Sequence, residues 1–271
     1  MLSVLTQDHQ PLEYIVVDGG STDGSREIIQ KYADRLAWWT SERDGGQLDA
    51  INKGFSHSTG EIMAWLNSDD KLAPWALSVV AEIFQALPEV QWLTSLAQIR
   101  WDARGRAVRC LTHRGFSREG FLAGENLPRN GHYTTGWIQQ ESTFWRRSLW
   151  ERAGGQVRTD FPYAADFELW SRFFAHADLY GVETPLGGFR FHGDQKSVLN
   201  RDSYHEEGER ILLSCGGLQN GVWKTKLRRL ARENGKGRLE GLAAKAGLLY
   251  PVRICRHHRT SGEWRVVTCY S

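Results

Sequence analysis

The order of predicted elements indicates an α/β protein with a mostly parallel sheet flanked by helices. Three apolar runs of strand length, 13–17, 36–40 and 62–66, are each followed by a segment with helical periodicity. This alternation is typical of a parallel sheet with helices on both faces. Asp or Gly residues follow each run, and we expect them at one edge of the sheet, where open α/β sheets bind ligands.

The first two strands end in loops that favour ligand contact. Asp18 closes the first strand and is followed by Gly19 and Gly20, which allow tight turns and close approach of a ligand. The second strand leads through Asp44-Gly45-Gly46 into a helix over 48–57. The spacing of apolar residues in this helix predicts one apolar face. The polar residues on its other faces either line the cleft or, alternatively, form an ordinary solvated surface.

The third strand ends in two adjacent acids, Asp69 and Asp70. Ionised side chains are rarely buried unpaired, so we expect the strand to deliver both carboxylates to a cleft. Mg²⁺ and Mn²⁺ prefer such oxygen ligands, especially beside phosphate. The alternative is a solvated turn, because Asp is common in turns.

Periodicity and flanking residues also predict the remaining helices and strands. We predict helices over 75–87, 116–122, 148–153, 163–174 and 203–215, a hairpin over 92–99 and 107–111, and strands over 139–146, 180–183 and 186–191. The loop-rich segment 112–140, with a flexible stretch at 126–131, is a candidate for substrate choice. Asp166 begins a helix, where a cap is the simplest role, and His192 follows a strand as a candidate metal ligand.

Charge is distributed unevenly. Residues 223–271 hold twelve Lys and Arg against three Glu, a net charge of +9, whereas the whole chain carries +2. We therefore predict a body over 1–215 and a basic helical tail over 216–271 that contacts anionic lipid or, alternatively, only solvent. No apolar run reaches the roughly 18 residues of a spanning helix, and scattered cysteines favour a cytoplasmic location.

Seven segments, taken in order, resemble glycosyltransferase family 2, whose members are inverting, metal-dependent enzymes with the Rossmann-like GT-A fold. They are Asp18–Asp23, Asp44–Gln47, Asp49–Gly54, Gly60–Asp70, Gln140–Trp145, Ala165–Trp170 and Arg190–His192. The order of the segments makes the resemblance specific, and it covers roughly residues 1–215.

The resemblance implies a role for each matching residue. The nucleotide-binding residues are Asp18, Ser21, Gly46, Gln47, Asp49, Lys53 and Asp69; Asp70 and His192 bind the metal, Mn²⁺ or Mg²⁺; Asp166 is the general base. The donor implied is a nucleoside-diphosphate sugar, most simply a UDP-sugar, and the acceptor a glycan or lipid-linked hydroxyl, with no nucleic acid. Polysaccharide or glycan assembly at the inner face of the membrane is the corresponding expectation.

Two departures from the family pattern are visible. Asn67-Ser68 precedes Asp69-Asp70, so the first acid of a full D-x-D triplet is absent. The family's usual first strand, upstream of a helix near Met1, is also absent. Either the true start lies upstream or the chain is a truncated, inactive relative, and we expect low stability because neighbouring strands lose a partner.

Two rival functions remain open. A nucleotidyltransferase also uses strand-end acids and a metal, although it would favour a basic glycine-rich loop near the first strand. The second rival function is that of a non-catalytic protein that binds nucleotide sugars.

Overall fold

The protein is described by a computed structural model that covers residues 1–127, 136–192, 200–234 and 238–271. The strands are β1 Ile15–Asp18, β2 Trp38–Ser41, β3 Ile62–Met63, β4 Lys71–Leu72, β5 Trp92–Ser95, β6 Ala97–Trp101, β7 Ala107–Thr112, β8 Thr143–Arg146, β9 Tyr180–Val182, β10 Gly187–Arg190, β11 Pro251–His258 and β12 Glu263–Tyr270. The helices are α1 Leu2–Leu5, α2 Ser25–Lys31, α3 Gln47–Ser56, α4 Ala76–Ala86, α5 Arg118–Leu122, α6 Arg147–Arg152, α7 Ala165–His176, α8 Arg201–Ser214, α9 Val222–Asn234 and α10 Arg238–Lys245.

The largest sheet has six strands in the order β12-β11-β9-β5-β8-β3. β9 pairs in parallel with both β5 and β11, whereas β8 runs antiparallel between β5 and β3. The α/β class is therefore confirmed, but the sheet is mixed, because β8 and the last hairpin enter it antiparallel.

Aromatic side chains form the centre of the core beneath this sheet. Trp92 and Trp145 are fully buried, and Trp170 is almost so. The Trp170 ring contacts the other two, with its centroid 5.5 Å from that of Trp92 and 5.9 Å from that of Trp145. Such contacts add to the area that large aromatic side chains bury. These tryptophans therefore belong to the core.

A second sheet has four strands in the order β4-β10-β6-β7. The predicted strand 92–99 is divided between the two sheets, because the chain turns at Leu96 from β5 into β6. β6 and β7 form the predicted hairpin, whose turn has Gly105 at φ +75°. The antiparallel pair β4 and β10 brings residue 71 opposite residue 188, so the segment after Asp69-Asp70 lies beside the strand that precedes His192.

The first two strands form a separate parallel pair. β1 and β2 are in register from Ile15 and Trp38, and all of their residues are only half-buried. In the part of the chain that the structure describes, neither of them pairs with β3. The prediction that the three runs share one parallel sheet is therefore wrong, and the predicted buried strand 62–66 is reduced to Ile62–Met63, with Ala64 exposed. Low stability of the 271-residue chain stays a prediction.

The C-terminal segment is helical only over α9 and α10. Residues 251–270 form the hairpin β11–β12, which adds two strands to the main sheet through β9, so the prediction of a wholly helical tail is wrong. Arg253 and Arg256 alternate with buried residues of β11 and form ion pairs with Asp178 and Glu183. The predicted boundary at 215/216 falls between α8 and α9 and stays a prediction.

In the ranges described above, no helix has the length and apolar content needed to cross a bilayer. The predicted flexible stretch 126–131 lies outside the described residues from position 128 onward.

Candidate active site

Asp18 ends β1 and organises the loop that follows it. Its carboxylate accepts hydrogen bonds from the Ser21 amide at 3.0 Å, the Ser41 hydroxyl at 2.7 Å and the Ser21 hydroxyl. Burial opposes ionisation of Asp18, but these hydrogen bonds outweigh it and hold its pKa below the usual range. A carboxylate has about four acceptor positions. The Gly20 amide also interacts with the Asp18 carboxylate, and Asp18 is therefore ionised at the edge of the cleft.

Two further carboxylates shape the loop between β2 and α3. Asp44 accepts a hydrogen bond from the Gly46 amide at 2.8 Å, and Asp49 accepts one from the Gly45 amide at 3.1 Å. Gly46 has φ +104°, a conformation that side chains disfavour. A Cβ at Gly19 would lie 3.1 Å from Asp44 Oδ1, so the loops after β1 and β2 touch.

The polar residues of α3 have defined partners. Lys53 forms a 3.1 Å ion pair with Glu42, and the hydrogen bond to this carboxylate raises the pKa of Lys53. The Asn52 side chain exchanges two 2.8 Å hydrogen bonds with the Val157 backbone. The apolar face of α3 packs against the main core as predicted, so Asn52 and Asp49 have structural roles and Lys53 faces an acidic neighbourhood.

Asp70 is buried just before β4. Its Oδ1 accepts a 3.0 Å hydrogen bond from the Arg190 amide, which the pairing of β4 with β10 brings opposite. Burial raises the pKa of Asp70 to about 6, and the adjacent carboxylate of Asp69 acts in the same direction. Asp69 is more exposed, and its Oδ2 lies 3.0 Å from His192 Nε2. His192 therefore lies beside Asp69 at the same edge of the site as Asp70.

Asn67 connects the two halves of the site. Its amide oxygen accepts a 2.7 Å hydrogen bond from Gln47 at the start of α3. Its amide nitrogen lies 3.3 Å from both Asp70 Oδ2 and Gln140 Oε1. The residue that replaces the first acid of a D-x-D triplet thus fixes Asp70 relative to the loop after β2.

Glu141 is a buried carboxylic acid between the other acids. Burial raises its pKa well above the usual range, and the charges of Asp70, Asp166 and Asp69 raise it further. Its Oε1 has no hydrogen-bond partner among the described residues. Burial and the neighbouring charges therefore both favour the protonated form of Glu141. These charges come from two separate points in the sequence, residues 69–70 and residue 166.

Asp166 lies in the first turn of α7. Burial raises its pKa to about 6, against hydrogen bonds from the Phe167 amide, at 2.7 Å, and the Tyr204 hydroxyl. The preceding amides of the helix terminus, those of Tyr163 and Ala164, instead donate to Glu207 of α8 at 3.0 and 2.8 Å. Because Glu207 caps α7, capping does not by itself account for an acid at position 166.

The predicted site residues fall into one connected set. Contacts run from the Asp18 loop to the Asp44 loop, then through Gln47 and Asn67 to Asp70, and electrostatic interactions continue through Glu141 to Asp166. Among the residues described, no group of three or more His, Cys, Asp or Glu is arranged as a metal site. The adjacent carboxylates at 69 and 70 nevertheless supply the oxygen donors that Mg²⁺ and Mn²⁺ prefer.

Sequence reasoning missed four members of the set: Asn67, Gln140, Glu141 and Tyr204. The first three lie in segments that carry the family resemblance, although no role could be assigned to them there. Tyr204 has no such signal, because it comes 38 residues after Asp166 in a helix whose pattern indicates only packing.

A family model and several known proteins are similar to this chain. A family model described as glycosyl transferase family 2 matches residues 1–142. An uncharacterised glycosyltransferase of Mycobacterium tuberculosis strain H37Rv is 31% identical over 158 residues, which cover 58% of this chain and 55% of that protein. An uncharacterised glycosyltransferase from Nostoc is 41% identical over 86 residues, which cover 31% of this chain and 27% of that protein. The chain thus spans about half the length of the mycobacterial relative.

Solved structures show the same fold. The crystal structure of Staphylococcus aureus TarS 1–349 in complex with UDP-GlcNAc matches with a TM-score of 0.56 and 16% identity, over 90% of this chain and 70% of that one. This similarity confirms the GT-A fold. With a family model that covers more than half of its residues, the chain belongs to glycosyl transferase family 2.

Proposed function

We propose that the protein transfers a sugar from a nucleoside-diphosphate sugar to a hydroxyl acceptor in one displacement, with inversion at the anomeric carbon. The observation that carries the proposal is the convergence of Asp70 and Asp166 on the buried Glu141. Two acids from distant segments then lie near one point, and one of them, Asp166, has a pKa of about 6. Such a pKa suits a general base near neutral pH.

Asp166 is proposed to accept the acceptor's proton. As the acceptor oxygen forms its bond to the anomeric carbon, the bond to the diphosphate oxygen breaks and the proton passes to the Asp166 carboxylate. Tyr204 and the Phe167 amide hold this carboxylate in place. Attack from the side opposite the leaving group yields the inverted configuration.

A neutral Glu141 suits this chemistry. An ionised carboxylate there would add to the negative charge of the neighbouring acids and of the incoming diphosphate. In its protonated form, the buried Glu141 instead offers a hydrogen-bond donor. We therefore propose that Glu141 lets Asp70 and Asp166 be ionised together when the donor is bound.

The proposed cofactor is Mn²⁺ or Mg²⁺. Asp70 and Asp69 would hold it, with His192 beside Asp69 as a further ligand to the metal or to phosphate. When bound, such a cation neutralises charge on the departing diphosphate.

The donor proposed is a UDP-sugar. Asp18 is proposed to accept the imide N–H of uracil, in exchange for one of its present hydrogen bonds within the loop. Ser21, Gly46 and Gln47 are proposed to line the same pocket, since Ser21 binds Asp18 and Gln47 binds Asn67. The TarS structure, which shares the fold, holds UDP-GlcNAc. Asp49 and Lys53 are proposed to line the same pocket from α3. A glycan or lipid-linked acceptor and a cytoplasmic location are parts of the same proposal.

Product analysis tests the reaction. We expect one of a panel of UDP-, GDP- and dTDP-sugars to release nucleoside diphosphate in the presence of Mn²⁺. Asp166→Asn should lower the rate at least a hundredfold, because general-base catalysis contributes about 10²–10⁴-fold. The matched control is Asp160→Asn, an exposed acid six residues earlier. Release of pyrophosphate would favour a nucleotidyltransferase, and binding without turnover would favour a non-catalytic relative.

A further inference from the structure

Helix α9 turns two of its arginines inward. Arg228 is fully buried and Arg232 is 8% exposed, and both form ion pairs with the buried carboxylate of Glu125. The Arg228 guanidinium also lies 3.6 Å from the ring centroid of Tyr250. Because both arginines bind one carboxylate, they fix the rotation of α9 about its own axis.

The opposite face of α9 is apolar and exposed. Trp223, Leu227 and Leu230 are 78%, 52% and 55% exposed, and their spacing of four and three residues places them on one side of the helix. This arrangement reverses that of an ordinary surface helix, whose apolar side faces the core. We refer to these three side chains as the apolar stripe of α9.

Basic residues border the apolar stripe. Lys224, Lys226 and Arg229 are all exposed, and Lys226 Nζ lies 5.1 Å from the Trp223 ring centroid. A short helix with Trp and Leu on one side and Lys or Arg at its borders is typical of helices that lie in the membrane interface. Arg229 pairs with the exposed Glu233, and Arg228 and Arg232 pair with buried Glu125. The exposed charges of Lys224 and Lys226 are therefore the main complement to anionic headgroups.

We propose that the apolar stripe of α9 and its basic border bind the surface of a membrane that contains anionic phospholipid. The helix would lie in the interface with Trp223, Leu227 and Leu230 among the acyl chains. A second copy of the chain fits this face less well. A symmetric dimer through the stripe would bring the basic borders of both copies together, and like charges oppose such an association.

The same helix is connected to the catalytic side of the cleft. Glu125, which binds Arg228, is followed by Asn126, whose side chain donates a 2.9 Å hydrogen bond to the Gly136 carbonyl. The next residue, Trp137, packs on Tyr204 at 4.6 Å between ring centroids, and Tyr204 binds Asp166. This consequence rests on the proposed function. If Asp166 is the general base, these contacts connect a membrane bound at α9 with the residues that receive the acceptor, and a lipid-linked acceptor is favoured.

Vesicle sedimentation tests the membrane contact without any assay of turnover. We expect the full chain to sediment with vesicles of 70% phosphatidylcholine and 30% phosphatidylglycerol, and at least tenfold less with pure phosphatidylcholine. The variant Trp223→Ser/Leu227→Gln/Leu230→Gln should lose at least tenfold in binding. The variant Lys224→Gln/Lys226→Gln/Arg229→Gln should lose about a hundredfold, since each basic residue near the surface contributes about fivefold.

A matched triple variant controls for the loss of exposed apolar surface. Leu2→Gln/Ile28→Gln/Val108→Gln replaces residues that are 57%, 54% and 62% exposed on other elements, and it should bind as the wild type does. Thermal melts verify that every variant folds. Absence of sedimentation, equal binding to neutral vesicles, or equal loss in the control would overturn the proposal. So would light scattering that shows a dimer abolished by changes in the stripe. A chain that binds vesicles but transfers no sugar would leave this inference standing and refute the proposed function.

Discussion

Asp166→Asn is expected to make the protein more stable while it removes activity. The Asn side chain keeps an oxygen that can accept the hydrogen bonds from the Phe167 amide and the Tyr204 hydroxyl. It removes only the charge. Because Glu207 caps the helix terminus, the substitution leaves that cap in place.

The magnitude follows from the pKa. Burial raises the pKa of Asp166 from 3.8 to about 6, so ionisation is less favourable in the folded than in the unfolded chain. At about 1.4 kcal/mol per pKa unit, the ionised group lowers the free energy of unfolding by at most about 3 kcal/mol at pH 7.5. Solvent contact reduces this value, and we expect Asp166→Asn to gain about 1–3 kcal/mol.

The gain in stability from Asp166→Asn depends on pH. A carboxyl group whose pKa is raised on folding binds protons more tightly in the folded state, so the stability of the wild type falls as pH rises from about 4 to about 6. The Asn variant lacks this contribution. Its advantage over the wild type should therefore be largest at pH 7.5 and shrink below about 1 kcal/mol at pH 4.

Urea denaturation at pH 4 and pH 7.5 measures both values, with Asp160→Asn as the control for loss of a charge on the surface. The account of Asp166 would be refuted if the Asn variant were no more stable than the wild type at pH 7.5, or if its advantage were the same at both pH values. Release of nucleoside diphosphate, measured on the same preparations, should fall at least a hundredfold in the Asn variant only.

Three further predictions follow from single contacts. Because Asp166 must be ionised to accept a proton, kcat/KM should rise with pH through about 6 and then level off; a profile that is flat from pH 5 to 8 would argue against this base. Asn67→Ala should raise KM for the donor more than it lowers kcat, since it removes about three hydrogen bonds of roughly 1 kcal/mol each; a change in kcat alone would contradict this. Glu207→Ala should lower the free energy of unfolding by about 1–2 kcal/mol through loss of the α7 cap, whereas the exposed neighbour Glu206→Ala should change it by less than about 0.5 kcal/mol.

Local patterns predicted most elements but not the order in which strands pair. The helical periodicity over 48–57 gave the apolar face of α3 correctly, because that face depends only on spacing along one helix. The hairpin β11–β12 was missed because Arg253 and Arg256 occupy its solvent-facing positions. Their partners, Asp178 and Glu183, are more than 70 residues away in the sequence.

The candidate site shows the same limit. Strand-end acids such as Asp18 and Asp70 can be recognised because an apolar run precedes them. The neighbourhood of Glu141 cannot be, since the charges that raise its pKa come from residues far apart in the chain. Whether position 166 is a cap or a base likewise depends on Glu207, 41 residues later, which local sequence does not reveal.

Calorimetric titration with UDP in the presence and absence of Mn²⁺ tests the central claim most directly, namely that acids from separate segments form one site for a sugar diphosphate. UDP should bind the wild type in a Mn²⁺-dependent manner. Asp18→Ala and Asp70→Asn should each weaken binding at least tenfold, whereas the exposed control Asp8→Asn should not. UDP binding that is equally strong with EDTA, or unchanged in both Asp18→Ala and Asp70→Asn, would contradict the claim.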